Sequence, residues 1–330
     1  MKAIVLTKFG PPEVLQLQEI AQPVPSDHEV LIRISATTVT AGDCQLRSLH
    51  LPLVYRLLIL IGVGLLRRIR QRPFILGQEI AGEIEAIGKE VTRFKQGDQV
   101  VGWTGIGLGG YAQYTCLPET GVLATKPSNM TYEEAAPLSV GGLEAVHFLK
   151  KAHIQSGEKV LIVGAGGSIG TFAIQLAKYF GAEVTSVDSA GKLEMLRSLG
   201  ADHVIDYTRE DFTKSGQTYD VIFDVVGKSS FSRSLRSLKP NGRYLLGNPG
   251  MPDRVRGHWM SRRSSKQIIP WANRTASECA EDFKFLTRLI EAGKIHSVID
   301  CCYPLERTAE AHQYVDTGHK KGNVVITILR

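Results

Sequence analysis

Residues 163–170 read Val-Gly-Ala-Gly-Gly-Ser-Ile-Gly, four glycines in eight positions. Glycine loses more backbone freedom on folding than any other residue, so such a run marks a place that needs bare backbone. An anionic ligand creates that need. A pyrophosphate asks for a tight turn, amides with no side chain in the way, and a helix N-terminus aimed at its charge. On this reading Gly164 turns the chain, Gly167 lets the phosphate reach the backbone, and Gly170 lets the next helix pack closely. Gly166, Ser168 and Ile169 complete the loop. The spacing is GxxGxxG, because Ile169 takes the third position of the strict GxGxxG form. The bland alternative is a structural turn between a strand and a helix.

A second group of residues bears on which dinucleotide fits. Asp188 ends 183–188, the stretch that reads as the next strand. A carboxylate there accepts hydrogen bonds from the ribose hydroxyls of NAD and repels the 2′-phosphate of NADP. Ser189, Lys192 and Tyr207, close behind it, offer a cation and hydroxyl donors that suit a 2′-phosphate. The set favours NADPH provided that the Asp188 carboxylate turns away from the ribose. NADH is the alternative.

These residues need elements to hold them. Residues 159–164 form a continuous apolar run ending in glycine, as in a strand buried on both faces. Residues 168–180 follow with helical periodicity, and 183–188, 192–200 and 203–207 read as strand, helix and strand. Residues 219–226 and 242–247 add two more strands. Alternation at this spacing implies a doubly wound parallel sheet of the Rossmann type. Ligands bind such sheets at the carboxyl ends of the strands, which singles out Val226, Gly227, Gly247 and Asn248.

The first 125 residues are different. Short alternating stretches at 29–39, 79–88 and 98–104, separated by Gly, Pro and Asp, read as a β-rich domain. Residues 131–151 read as a helix capped by Thr131, with Glu133 and Glu134 in its first turn. Near the end, 282–293 reads as a helix and 323–329 as a strand.

Composition excludes several classes. With 43% hydrophobic and 22% charged residues in a chain of 330, this is a globular protein with a substantial core. The net charge of +6 is mild and spread out, and no nucleic-acid motif is present. Two basic clusters, one at Arg67, Arg68, Arg70 and Arg72 and one across 254–266, read as solvated surface or as attraction to anionic groups. Five cysteines without CxxC spacing argue against a disulfide framework and a clustered zinc site. The N-terminus lacks a signal-peptide core, so the expected location is cytoplasmic. The apolar run 57–66 is shorter than the roughly 20 residues of a membrane span. It reads as a buried helix, a flap over a substrate pocket, or an interfacial anchor giving weak membrane association through 51–72.

Several stretches together resemble the medium-chain dehydrogenase/reductase superfamily, and within it the zinc-free quinone oxidoreductase branch. They are GQEIAGEIEAIGKEVTRFKQGDQVVG (77–102), GGYAQYT (109–115), the glycine run, LRSLGADHVIDY (196–207) and HKKGNVVITI (319–328). The resemblance implies an α/β fold: a GroES-like β-rich catalytic domain over 1–125, a Rossmann domain over 126–269, and a return to the catalytic domain over 270–330. The active site would be the cleft between them, and homodimers would pair Rossmann sheets edge to edge. It implies hydride transfer to a quinone, an activated alkene or a carbonyl, with a small molecule as the expected partner and no nucleic acid. An NAD-dependent alcohol dehydrogenase-like enzyme, or a nucleotide-binding protein with little catalytic activity, is the alternative.

Zinc-dependent relatives carry a Cys, a His and a third ligand at positions that here hold Thr40, Gln78 and a residue near Val140. A catalytic zinc needs three good protein ligands, so no zinc is expected. Without metal, a developing alkoxide or enolate needs another donor. The resemblance places Thr40 near the nicotinamide. Asp43 stands three residues on, where it can orient that loop, and Tyr55 is a further proton-donor candidate if 49–72 folds over the cleft. The resemblance also places Val226, Gly247 and Asn248 around the nicotinamide, and Asn323 against the cofactor.

Overall fold

The computed structural model describes residues 1–49, 56, 73–248, 256–257, 264–270 and 274–328. The chain forms two compact units, Met1–Val140 with Ile299–Arg330, and Gly141–Val298. Both boundaries fall later than residues 125 and 269, the positions the resemblance implies.

The first part of the first unit runs β1 (Lys2–Leu6), β2 (Leu15–Glu19), β3 (Glu29–Thr38), α1 (Ala41–Ser48), β4 (Glu79–Ile87), β5 (Gln99–Trp103), β6 (Tyr114–Pro118), β7 (Leu123–Thr125) and α2 (Tyr132–Ala135). The second unit follows with α3 (Gly141–Lys151), β8 (Lys159–Val163), α4 (Ser168–Tyr179), β9 (Glu183–Asp188), α5 (Leu193–Ser198), β10 (His203–Asp206), β11 (Tyr219–Asp224), α6 (Phe231–Arg236), β12 (Leu238–Leu246), β13 (Gln267–Pro270) and α7 (Ala276–Glu291). The chain then returns to the first unit as β14 (Ile299–Pro304), α8 (Thr308–Asp316) and β15 (Asn323–Thr327).

In the first unit, β1 and β2 pair antiparallel, and a second sheet runs β14-β15-β3-β4-β5-β7 with β6 also on β3. The long strand β3 is the spine: it pairs with β4, β6 and β15. The returning β15 thus completes a sheet begun almost three hundred residues earlier. Ile4, Leu6, Ile32, Ile34, Leu76, Ile80, Val324 and Ile326 fill its core.

The second unit carries a six-stranded sheet in the order β10-β9-β8-β11-β12-β13, with every pairing parallel. Strand order reverses at β8, the switch point of a doubly wound sheet. The apolar run of β8 sits between two neighbours, which is why it does not alternate. Among the described residues β13 ends the strand order.

One expected helix divides. Residues 131–151 become α2, a 3₁₀ turn at Ala136–Leu138 and α3. Pro137 has no N–H for a continuous ladder, so it breaks the helix. Thr131 does cap the first piece in a capping box with Glu134. Among the described residues no helix is long and apolar enough to cross a membrane. The 57–66 run, Tyr55 and all of 51–72 except Arg56 lie outside the described residues.

Candidate dinucleotide and substrate sites

In the second unit β8 ends and the glycine run turns the chain into α4, whose N-cap is Gly167. Gly164 has φ +78°, a left-handed conformation open to glycine at little cost. A Cβ on Gly170 would lie 2.5 Å from the carbonyl oxygens of Gly164 and Ala165, so that glycine is dictated by helix–strand packing. Gly167 is different. A Cβ there would meet only the Gly164 carbonyl oxygen, at an ordinary 3.6 Å. The chain itself does not need a glycine at this point, and the space a side chain would fill faces the start of the helix. The first amides of a helix lie outside its own hydrogen-bond ladder, and here they follow directly on Gly167. Bare backbone, open space and a helix N-terminus together fit a pyrophosphate.

Asp188 stands at the end of β9 and is buried. Its Oδ2 accepts the N–H of Gly166 at 2.8 Å. Its Oδ1 accepts the N–H of Ser189 at 2.8 Å and lies 3.2 Å from the ammonium of Lys192. The carboxylate therefore turns into its own chain. Tyr207, just past β10, is 61% exposed, and its N–H donates to the Asp188 carbonyl oxygen at 3.2 Å.

At the carboxyl end of β11, the buried Asp224 shapes the turn. Its Oδ1 accepts N–H bonds from Val226 at 3.2 Å and Gly227 at 2.8 Å. Gly227 has φ +69°, and a Cβ there would lie 2.2 Å from the Asn248 carbonyl oxygen. Gly247 donates to the Asp224 carbonyl oxygen at 2.9 Å. Val226, Gly247 and Asn248 are thus brought together at one end of the sheet. Asp224, which sequence reasoning passed over, is what holds them. A carboxylate followed by a glycine-containing turn was the available signal.

In the first unit Thr40 is the N-cap of α1, in a capping box with Asp43. The Thr40 hydroxyl donates to Asp43 Oδ2 at 2.6 Å, and the Thr40 N–H donates to the same oxygen at 3.0 Å. The Asp43 N–H returns to Thr40 Oγ1 at 3.0 Å. Asp43 Oδ1 accepts the Gly77 N–H at 3.2 Å, which ties α1 to the loop before β4. Asp43 is fully buried, and burial pushes its carboxyl above the usual range, although hydrogen bonds from Thr40 and Gly77 oppose that rise. Thr40 itself is half-buried, as is Gln78, whose Nε2 donates to Thr40 Oγ1 at 3.5 Å.

Glu79, the next residue, was also missed. It is buried, accepts the Val140 N–H at 2.7 Å and takes a short hydrogen bond from the Thr38 hydroxyl. The positions that bind zinc in metal-dependent relatives thus present a hydroxyl, a carboxamide and an alkyl side chain. Among the described residues no three His, Cys, Asp or Glu side chains gather in a way that could hold a metal ion. Cys44 meets one histidine, with Sγ 3.4 Å from His312 Nδ1, and burial raises its thiol pKa well above the usual range. This donor set does not fit a catalytic zinc. Asn323 is buried at the start of β15.

Residues 26–128 match the family described as the alcohol dehydrogenase GroES-like domain, and residues 199–326 the family described as zinc-binding dehydrogenase. A quinone oxidoreductase of Lama guanicoe is 31% identical over 98% of this chain and 95% of its own. A 2-methylene-furan-3-one reductase of Solanum lycopersicum is 31% identical over 99% of this chain and 79% of its own. Among solved structures, the quinone oxidoreductase from Coxiella burnetii superposes with a TM-score of 0.87 at 27% identity, over 100% of this chain and 99% of that one.

Proposed function

The chain belongs to the quinone oxidoreductase-like branch of the medium-chain dehydrogenase/reductase superfamily, and from that membership we propose a zinc-independent, NADPH-dependent reductase of quinones and of alkenes conjugated with a carbonyl. The observation that carries the reading is the bare, outward-facing backbone at Gly167 on the first turn of α4. When bound there, a reduced nicotinamide nucleotide supplies the hydride.

The chain's own residues supply the rest. Ser168, Ile169 and Gly170 present amides to the pyrophosphate. The inward turn of Asp188 supports NADPH, because its oxygens are taken up by Gly166, Ser189 and Lys192 and do not select a ribose 2′-hydroxyl. Lys192, Ser189 and Tyr207 then serve the 2′-phosphate. Val226, Gly247 and Asn248 line the nicotinamide end of the sheet. With Asp43 protonated, Thr40 is freed from donating to that carboxylate and offers its proton to an enolate oxygen. A quinone, which accepts hydride readily, takes its proton from water. The Thr40, Gln78 and Val140 donor set supports chemistry without zinc. A homodimer paired through the second unit's sheet belongs to the same reading.

The test is loss of NADPH absorbance with a panel of quinones, enals and enones, under metal-free conditions. Turnover with at least one class is expected. Tight NADPH binding without turnover of any of them would overturn the reading in favour of a nucleotide-binding protein with little activity.

A further inference from the structure

In the NAD-binding arrangement, a carboxylate at the end of the second strand accepts the ribose hydroxyls. Asp188 occupies that place in sequence, yet four donors of its own chain surround it, the Ser189 hydroxyl at 3.5 Å among them. The Gly166 amide is 2.8 Å from one oxygen; the Ser189 amide and the Lys192 ammonium are 2.8 Å and 3.2 Å from the other. The side chains of both ion-pair partners are less than one-tenth exposed. A ribose hydroxyl could bind this carboxylate only by displacing one of these donors, and leaving a buried amide or ammonium unmet is unfavourable.

Gly166 adds a second observation. A Cβ on it would lie 2.5 Å from Lys192 Cδ and 3.0 Å from Asp188 Oδ2. The absent side chain is therefore the seat of the lysine stem. Loop, carboxylate and lysine form one assembly: Gly166 makes room, Asp188 anchors both the loop amide and the ammonium, and Lys192 lies across the loop. A lysine in water samples many rotamers, and this arrangement removes that freedom before any ligand arrives. An ammonium has three donors and can bridge a carboxylate and a phosphate.

We propose that Asp188 is a positioning residue, holding Lys192 over the glycine loop, and that it thereby raises the preference of this chain for NADPH over NADH. The inference rests on the NADPH-dependent reading above and deepens it. It reverses the usual expectation for an acidic residue at this position.

The experiment measures dissociation constants for NADPH and NADH by nucleotide fluorescence on the full chain. The proteins are wild type, Lys192→Met, Asp188→Ala, Asp188→Asn and the double variant Asp188→Ala with Lys192→Met. Lys192→Met is expected to weaken NADPH about tenfold or more, the size of a lost charge-assisted hydrogen bond, and NADH much less. Asp188→Ala is expected to lower the NADPH-over-NADH ratio in the same direction. The double variant is expected to lower it no further than Lys192→Met alone, since both remove one interaction. Asp188→Asn keeps an acceptor for the Gly166 amide, so the loop stays formed while the ion pair is lost, and it too lowers the ratio.

A ratio that rises in Asp188→Ala or Asp188→Asn would overturn the proposal, because removing a ribose acceptor does that. So would additive effects in the double variant. A wild-type protein that binds NADPH but reduces nothing overturns the reductase reading alone, and the ratios still decide the role of Asp188. A wild-type protein that binds neither nucleotide overturns both.

Discussion

The carboxylate of Asp43 takes the hydroxyl proton of Thr40 across 2.6 Å, and the Thr40 oxygen in turn accepts the Asp43 amide at 3.0 Å. A threonine hydroxyl has one proton. While Asp43 is ionised that proton is committed, and Thr40 has nothing to give a substrate oxygen. When Asp43 is protonated it can donate to Thr40 Oγ1, and the Thr40 proton is released outward. Burial of Asp43 works in this direction by raising its pKa.

The consequence is a pH limb. Enal reduction that uses Thr40 as donor is fastest with Asp43 protonated, so kcat falls as pH rises through the raised Asp43 value. Quinone reduction, with water as proton source, lacks the limb. Asp43→Asn mimics the protonated acid, keeps the amide acceptor and gives a flat enal profile. Thr40→Val lowers enal kcat about 100-fold, the low end of the usual range for a general acid, and leaves quinone turnover nearly unchanged. Steady-state pH profiles on both substrate classes check this. A limb that persists in Asp43→Asn would refute it.

The glycines of the run separate by the same kind of argument. A methyl group at position 170 would press on two carbonyl oxygens at 2.5 Å, so Gly170→Ala lowers stability by about 1–3 kcal/mol. A methyl at position 167 meets nothing closer than 3.6 Å, so Gly167→Ala folds with a nearly unchanged melting temperature. It does stand where the phosphate would come, and it weakens NADPH and NADH alike. Thermal melts and nucleotide titration of the two variants distinguish a packing glycine from a ligand-facing one. Equal binding by Gly167→Ala and wild type would mean that no phosphate approaches there.

Much of the second unit is legible in the sequence because its signals are local. The strand at 159–163 carries a continuous apolar run, and the glycine run announces its turn by composition. Strand β13 is short and lies among weakly patterned residues, so only its pairing with β12 reveals it. The start of α7 was legible and overlooked, since Thr275 and Glu278 form a capping box with the spacing that predicts one. The direction in which Asp188 turns is not legible at all. It depends on where Gly166 and Lys192 place a loop amide and an ammonium in three dimensions. The contact of Cys44 with His312 joins residues 268 positions apart, beyond any pattern in the chain.

The donor set at Thr40, Gln78 and Val140 makes a further prediction. Dialysis against a strong chelator is expected to leave quinone reduction and melting temperature unchanged, and metal analysis is expected to find less than about one-tenth equivalent of zinc, since three good ligands are lacking. Gln78→Ala removes a donor to Thr40 Oγ1 and lowers enal kcat several-fold, without creating a metal requirement. Activity restored by added zinc after chelation would contradict the assignment.

His312 gives the first unit its acid sensitivity. Its ring is fully buried, with Nδ1 3.4 Å from Cys44 Sγ and Nε2 3.0 Å from the Tyr111 hydroxyl. Burial keeps Cys44 as a thiol, so its S–H donates to Nδ1 and the Nε2–H donates to Tyr111. A second ring proton would have no acceptor at the thiol and would face the Arg47 guanidinium, which Asp316 only partly offsets at 2.6 Å. Burial first, and Arg47 second, lower the pKa of His312 from 6.5 to about 3. The neutral ring is therefore part of the folded state. The unfolded chain takes up the proton near 6.5, so this stabilisation is complete above that pH and is lost progressively as pH falls toward about 3. His147 of the second unit, lowered to about 4 by burial and by Arg274, adds to the same window. His312→Gln loses about 1–3 kcal/mol at pH 7.5 from the broken hydrogen bonds, but its melting temperature declines less steeply below pH 6.5. Melts recorded across that range check the slope. If His312→Gln and wild type decline in parallel, the acid sensitivity resides elsewhere.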